Sequence, residues 1–124
     1  MLPTQVNAYC NAGFVWTATF TLTQTPGGPP VDLTGLVVEL VIRPTVEDTT
    51  SPALVQVSSS GSNPQGSITV TTPTSGIATV NLTPAATTLL GEGARPYTVC
   101  TNPGTSTAAA WVTGVFFSRL VAIG

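Results

Sequence analysis

Residues 14–23, Phe-Val-Trp-Thr-Ala-Thr-Phe-Thr-Leu-Thr, alternate without interruption, Trp16, Ala18, Phe20 and Leu22 on one side and Thr17, Thr19, Thr21 and Thr23 on the other. Only an extended strand with one buried face satisfies a period of two, because on a helix the same residues would scatter around the circumference. The period returns over residues 36–43, where Leu36, Val38, Leu40 and Ile42 oppose Val37, Glu39, Val41 and Arg43, and in shorter runs at 53–58, 67–71, 77–82 and 95–101. Clusters such as Gln24-Thr25-Pro26-Gly27-Gly28-Pro29-Pro30 and Asn102-Pro103-Gly104 separate the runs. Their prolines cannot donate to a ladder and their glycines reach turn conformations. The chain therefore reads as all-β, an antiparallel sandwich of about seven strands forming one domain over residues 13–124, preceded by an extended N-terminal arm over residues 1–12.

The single helical signal lies near residues 84–90. Thr83 can cap, Pro84 suits the first helical position and Gly91 suits the stop, for a helix of about two turns. Residues 58–66, rich in Ser, Gly, Asn and Pro, read as a loop tip. The last run, residues 108–122, is apolar on both sides: Trp111, Val115 and Phe117 are expected to point one way and Val112, Phe116 and Leu120 the other. A two-layer sandwich buries one of these faces, so the other needs a loop, the N-terminal segment or another subunit.

Charge narrows the function. The chain has three cations, Arg43, Arg95 and Arg119, five carboxylates and no His or Lys, so charged residues make up 6% of it. An average domain would carry about a quarter. Much of the exterior is then Thr, Ser, Gly, Pro and apolar atoms, which suits either a subunit covered by neighbours or a hydroxyl-coated domain that tolerates low charge. Nucleic acid and anionic membranes would find too few cations. No basic segment followed by an apolar run opens the chain, and no apolar run approaches the ~20 residues of a spanning helix, so a protein soluble when made is expected.

Acid–base chemistry would fall to Asp32, Glu39, Glu47, Asp48 and Glu92, of which only Glu47 and Asp48 cluster, in a loop between prolines. No nucleophile elbow, phosphate loop or calcium-loop spacing occurs, and two cysteines do not make a zinc site. A non-enzymatic protein without cofactor or metal is expected. Cys10 and Cys100 are expected to be reduced thiols packed as small apolar groups, with a long-loop disulfide as the alternative.

Pro30-Val31-Asp32-Leu33-Thr34-Gly35 running into a strand that ends at Arg43 resembles the opening hairpin of small immunoglobulin-like domains in tailed-bacteriophage structural proteins, including the N-terminal domains of baseplate upper proteins. Gly76-Ile77-Ala78-Thr79-Val80-Asn81-Leu82-Thr83, the short helix ending Leu89-Leu90, then Gly93 and Tyr97, is similar to the second half of those domains. Val112-Thr113-Gly114-Val115-Phe116 resembles their last strand, so the likeness spans about residues 13–120. It implies an immunoglobulin-like sandwich in a virion, made in the bacterial host cytoplasm, that binds other virion proteins of capsid or tail and copies of itself. Val37, Val41, Phe116, Leu120, Val121 and Ile123 are the expected interface, with the arm reaching a neighbour. Asp32, Gly35, Thr83, Pro84, Gly91 and Tyr97 are expected to be structural, Tyr97 by hydrogen-bonding back across the sandwich corner. The alternative function is a carbohydrate- or receptor-binding module using Trp16, Trp111 or the 58–66 loop.

Overall fold

The structure, a computed structural model, describes residues 3–44, 53–60 and 63–120. Its elements are β1 (Thr4–Gln5), β2 (Ala8–Asn11), β3 (Trp16–Thr21), β4 (Val38–Ile42), β5 (Val55–Ser58), β6 (Gly66–Thr72), a 3-10 turn (Pro73–Ser75), β7 (Ile77–Leu82), α1 (Pro84–Leu90), β8 (Gly93–Thr101) and β9 (Ala109–Arg119). They form a six-stranded sheet, in which β1 and β2 both lie along β9 and β8, β4 and β5 follow, and a three-stranded sheet ordered β3-β7-β6. With β3, β7 and β6 in one layer and β4, β8 and β9 in the other, this is the strand arrangement of an immunoglobulin-like sandwich, and β5 is the extra strand of the variable type.

The alternation read from the sequence sets the core. Val38, Leu40 and Ile42 of β4 are fully buried, as are Val55 and Val57 of β5 and Val80 of β7. At the end where β3 begins, Trp16 packs edge-on to Phe116 with ring centres 4.7 Å apart, and Phe116 meets Tyr97 at 5.8 Å. Antibody-type domains place a disulfide between the second and sixth strands, its second cysteine two residues after the corner tyrosine. Here Val99 stands two residues after Tyr97, buried, and aromatic packing fills the centre instead.

Both cysteines are free thiols. Cys10 is buried on the inner side opposite Ser118 of β9, whereas Cys100 pairs with Ala110 and faces outward. The two positions along β9 are roughly 25 Å apart at ~3.3 Å per residue. A bridge would need Cα atoms within about 7 Å.

Two expectations are corrected. Residues 3–12 do not extend away as an arm: β1 and β2 pair in parallel with β9, from Thr4 opposite Val112 to Asn11 opposite Arg119. β8 pairs along one edge of β9 over almost its whole length, and β1 and β2 take the other edge, where Ala8, Cys10 and Ala12 supply the small buried face that closes it. Phe116 is no surface residue but fully buried, because Val112, Phe116 and Ser118 turn toward the opposite sheet. A bulge opposite Val99 and Cys100 inserts Trp111 as an extra residue, which brings its indole to the core side beside Val112.

Candidate interaction surface

The chemistry-bearing side chains are dispersed. Among the described residues no three of His, Cys, Asp and Glu come together. Glu47 and Asp48 lie outside the described residues, as do Val121 and Ile123 of the expected interface. Burial, reinforced by the Glu39 carboxylate, pushes the Cys100 thiol up to about 11, and burial also raises Cys10 against a smaller opposing contribution from the Ser118 hydroxyl beside it. Both thiols are therefore held in their unreactive protonated form.

What remains is a surface, built by alternation on the outer side of the six-stranded sheet. One row crosses from Gln5 through Thr113, Thr98 and Val41 to Gln56. The next holds Val115 and Pro96, with the Arg43 N–H bonded to Pro96 O at 3.0 Å. A third holds Tyr9, Phe117 and Ala94. Along this face Val41, Pro96, Cys100 and Val115 are half-buried, and Tyr9 is 68% exposed. The rings of Tyr9 and Phe117 stack with centres 5.2 Å apart and planes 13° apart.

Two recesses open here. One, of about 680 Å³, lies over Pro96, Thr98 and Cys100 and is walled by Val41 and Val115, with Glu39 and Arg43 at its rim. The other, of about 660 Å³, lies where β2 and β9 finish and β8 starts, its floor the small residues Gly93 and Ala94 and its walls Tyr9, Phe117, Glu92 and Arg119.

Of the expected interface residues, Val37 and Val41 lie half-buried on β4 and its approach, on the outer side, and Leu120 stands 63% exposed just past β9. Tyr9 and Phe117 are the exposed aromatics of this face and were not among the expected contacts. The signal for Tyr9 was the short alternation Ala8-Tyr9-Cys10-Asn11, too weak in hydrophobicity to mark a strand. Both tryptophans are half-buried against the core: Trp16 packs on Phe116 and Phe20, and Trp111 donates its indole N–H to Thr101 Oγ1 at 2.9 Å.

The structural set occupies turns and caps. Asp32 Oδ1 accepts from the Thr34 N–H at 3.0 Å, and the Thr34 hydroxyl and N–H together lower its carboxyl below the usual range. Gly35, with φ of 74°, completes that turn into β4. Thr83 caps α1 by accepting from the Ala86 N–H at 3.2 Å, Pro84 opens the helix and Gly91 ends it. Tyr97 donates its hydroxyl to Val6 O at 2.5 Å, so the bond ties the N-terminal segment to β8 rather than crossing the corner. Within the 58–66 stretch, of which residues 61 and 62 lie outside the described residues, Asn63 exchanges bonds with the Ser58 backbone.

No family model and no curated protein matches the chain. Among solved structures it is similar to the second immunoglobulin domain of the mouse polymeric immunoglobulin receptor, with a TM-score of 0.51 and 10% identity over 97% of this chain and 99% of that one. The likeness is one of fold, an immunoglobulin-like sandwich, and a fold of this kind hosts unrelated functions.

Proposed function

We propose that the chain is a non-enzymatic structural subunit of a tailed-phage virion, a decoration, collar or tail accessory protein, that works by protein–protein contact through the outer face of the six-stranded sheet. The observation that carries the contact reading is the apolar band of Tyr9, Phe117, Val115, Pro96 and Val41 on a chain with only 6% charged residues. The phage assignment rests on the resemblance of the Asp32–Gly35 hairpin and the residue 76–97 segment. A face five strands wide and about six residues long measures roughly 24 by 20 Å from strand spacing and rise. That is below the ~800 Å² per partner of a standard stable interface, so a lone copy would bind weakly and a repeated lattice would supply the avidity. The decisive experiment adds purified wild type, or a Val41→Asp/Phe117→Asp variant with unchanged circular dichroism, to particles lacking the protein. Wild type should co-sediment with the particles and the variant should not; equal co-sedimentation of the two would refute the face.

One observation favours a second reading, a carbohydrate-binding module. The Tyr9–Phe117 stack borders a recess of about 660 Å³ that also presents Asn11, Glu92 and Arg119. Aromatic walls with a few converging polar groups are how pyranose rings are held. Titration calorimetry of glycans against wild type and Tyr9→Ala separates the two: saturable binding lost in the variant favours the sugar, and no heat with any glycan removes it.

A further inference from the structure

The three-stranded sheet ends in β3, and among the described residues β3 pairs only with β7. Its other edge is open. The β7 ladder continues at Leu22, whose N–H donates to Gly76 O at 2.8 Å. By alternation the even-numbered residues of β3 bond to β7, and Thr17, Thr19 and Thr21 turn their backbone N–H and C=O groups to the open side.

Edges of this kind are ordinarily blunted by charge, proline, a bulge or a cover. Two of the other edges, β5 and β6, have such devices. Along β5, the Gln65 side chain accepts from the Gln56 N–H at 2.8 Å and donates to Leu54 O at 3.0 Å, occupying backbone groups that a foreign strand would use. A bulge between Val70 and Thr72 breaks the run of β6. The strand β3 has neither, and no charged residue occurs in β3, β6 or β7.

Beside the open edge, between β3 and the N-terminal strands, runs a groove of about 300 Å³ lined by Val6, Ala8, Trp16, Ala18, Phe20 and Val112. An incoming strand would thus find backbone partners and an apolar trough together, the combination that strand addition uses.

The sequence of the edge says which strand fits. Trp16-Thr17-Ala18-Thr19-Phe20 reads nearly the same in both directions. Antiparallel pairing of two copies about a two-fold axis at Ala18 sets Thr17 opposite Thr19 of the second copy, Trp16 opposite its Phe20, and Ala18 opposite its Ala18. Thr17 and Thr19 carry the outward backbone groups, so each Thr–Thr pair exchanges two hydrogen bonds, while the Ala18 and aromatic pairs fall at the closer, non-hydrogen-bonded positions. Thr–Thr and aromatic pairs are among the favourable cross-strand contacts. We infer that the β3 edge is a homodimerisation site, where a second copy of this chain adds its own β3 antiparallel about Ala18 to make one continuous six-stranded sheet across two molecules. This contact uses the opposite sheet from the outer face described above and stands whether or not that face binds a virion protein.

Sedimentation and light scattering of the purified chain from about 1 to 200 µM should give a mass approaching about 25 kDa, twice the 12.6 kDa of one chain. Thr17→Lys/Thr19→Lys, which sets lysines against each other across the axis, should remain monomeric over the same range. A charge-matched Ser67→Lys/Thr69→Lys variant, altered on β6 at the far side of the same sheet, should dimerise like wild type. A monomeric wild type at 200 µM, or a dimer that the Thr17/Thr19 pair leaves intact, would overturn the proposal. Ala18→Cys tests the register independently of whether the lysine variant folds. Non-hydrogen-bonded antiparallel neighbours have Cα atoms ~4.5 Å apart, within disulfide range. Mild oxidation should therefore give a dimer whose linked peptide joins residue 18 to residue 18 by mass spectrometry, and its absence counts against the edge.

Discussion

Tyr97, Gly114 and Val6 form one contact that decides how the chain begins. Tyr97 and Gly114 are cross-strand neighbours, and a Cβ at Gly114 would sit 1.9 Å from Val6 O and 3.2 Å from the Tyr97 ring. Only glycine lets the N-terminal segment pass this closely and lets the Tyr97 hydroxyl reach the Val6 carbonyl. Gly114→Ala should cost about 2 kcal/mol or more through overpacking and expose residues 3–12 to early proteolysis. Tyr97→Phe leaves the carbonyl without its partner and should cost about 1–2 kcal/mol in denaturant unfolding. The pH dependence has a defined sign. Burial raises Tyr97 from 10.0 to about 12, so the folded state keeps a proton that the unfolded state releases; the stability this provides is complete below pH 10 and is lost between pH 10 and 12. Tyr97→Phe should flatten that part of an alkaline unfolding curve. Cys100, raised to about 11, adds a decline from pH 9 to 11 in the same direction. At pH 8 its thiolate is about a hundredfold scarcer than that of an unshifted thiol, and higher intrinsic nucleophilicity recovers about tenfold. Alkylation of Cys100 in the folded protein should thus run about tenfold slower than for a free thiol.

Among the elements, α1 owes its place to Thr87 more than to its caps. The helix has seven residues, too few to be stable alone. The Thr87 hydroxyl, fully buried, accepts from the Gly13 N–H at 3.1 Å and donates to Phe14 O at 2.8 Å, which stitches the helix to the loop entering β3. The Thr88 hydroxyl, one residue on, donates back to Pro84 O within the helix at 2.8 Å and is exposed. Thr87→Val keeps the shape and removes both bonds that tie the helix to Gly13 and Phe14, so about 1–2 kcal/mol of stability should be lost, while Thr88→Val should stay within about 0.5 kcal/mol. Thermal melts of the two variants side by side make the comparison. Thr83 and Pro84 were legible as a helix start because capping is a local matter. Thr87 was not, since its partners lie more than seventy residues away in sequence.

At the scale of the whole molecule, the sandwich stands on aromatic and aliphatic packing with no covalent staple. Reducing agent should therefore leave the melting temperature unchanged. The two sheets present opposite surfaces. The outer side of the short sheet is a hydroxyl lattice, in which Thr17 donates to Asn81 and Thr19 meets Thr79 at 3.2 Å, whereas that of the long sheet is apolar and recessed. This asymmetry explains how a chain with 6% charged residues keeps a wettable side beside an apolar one.

The period-two alternation determined the strands from β3 onward, the inward sets of β4 and β8, and the two-layer class, because a strand's buried face is written in its own residues. The same local logic placed the turn at Asp32 and Gly35 and the ends of α1. Tertiary structure alone decided the rest. A sequence apolar on both faces, as in β9, does not say which face meets the other sheet, and a one-residue bulge at Trp111 reverses the reading on its far side. Nor does an extended run such as residues 3–12 say whether it pairs within the chain. That depended on the free edge of β9, on Gly114 allowing close approach and on Tyr97 reaching Val6, three groups that only the fold brings together.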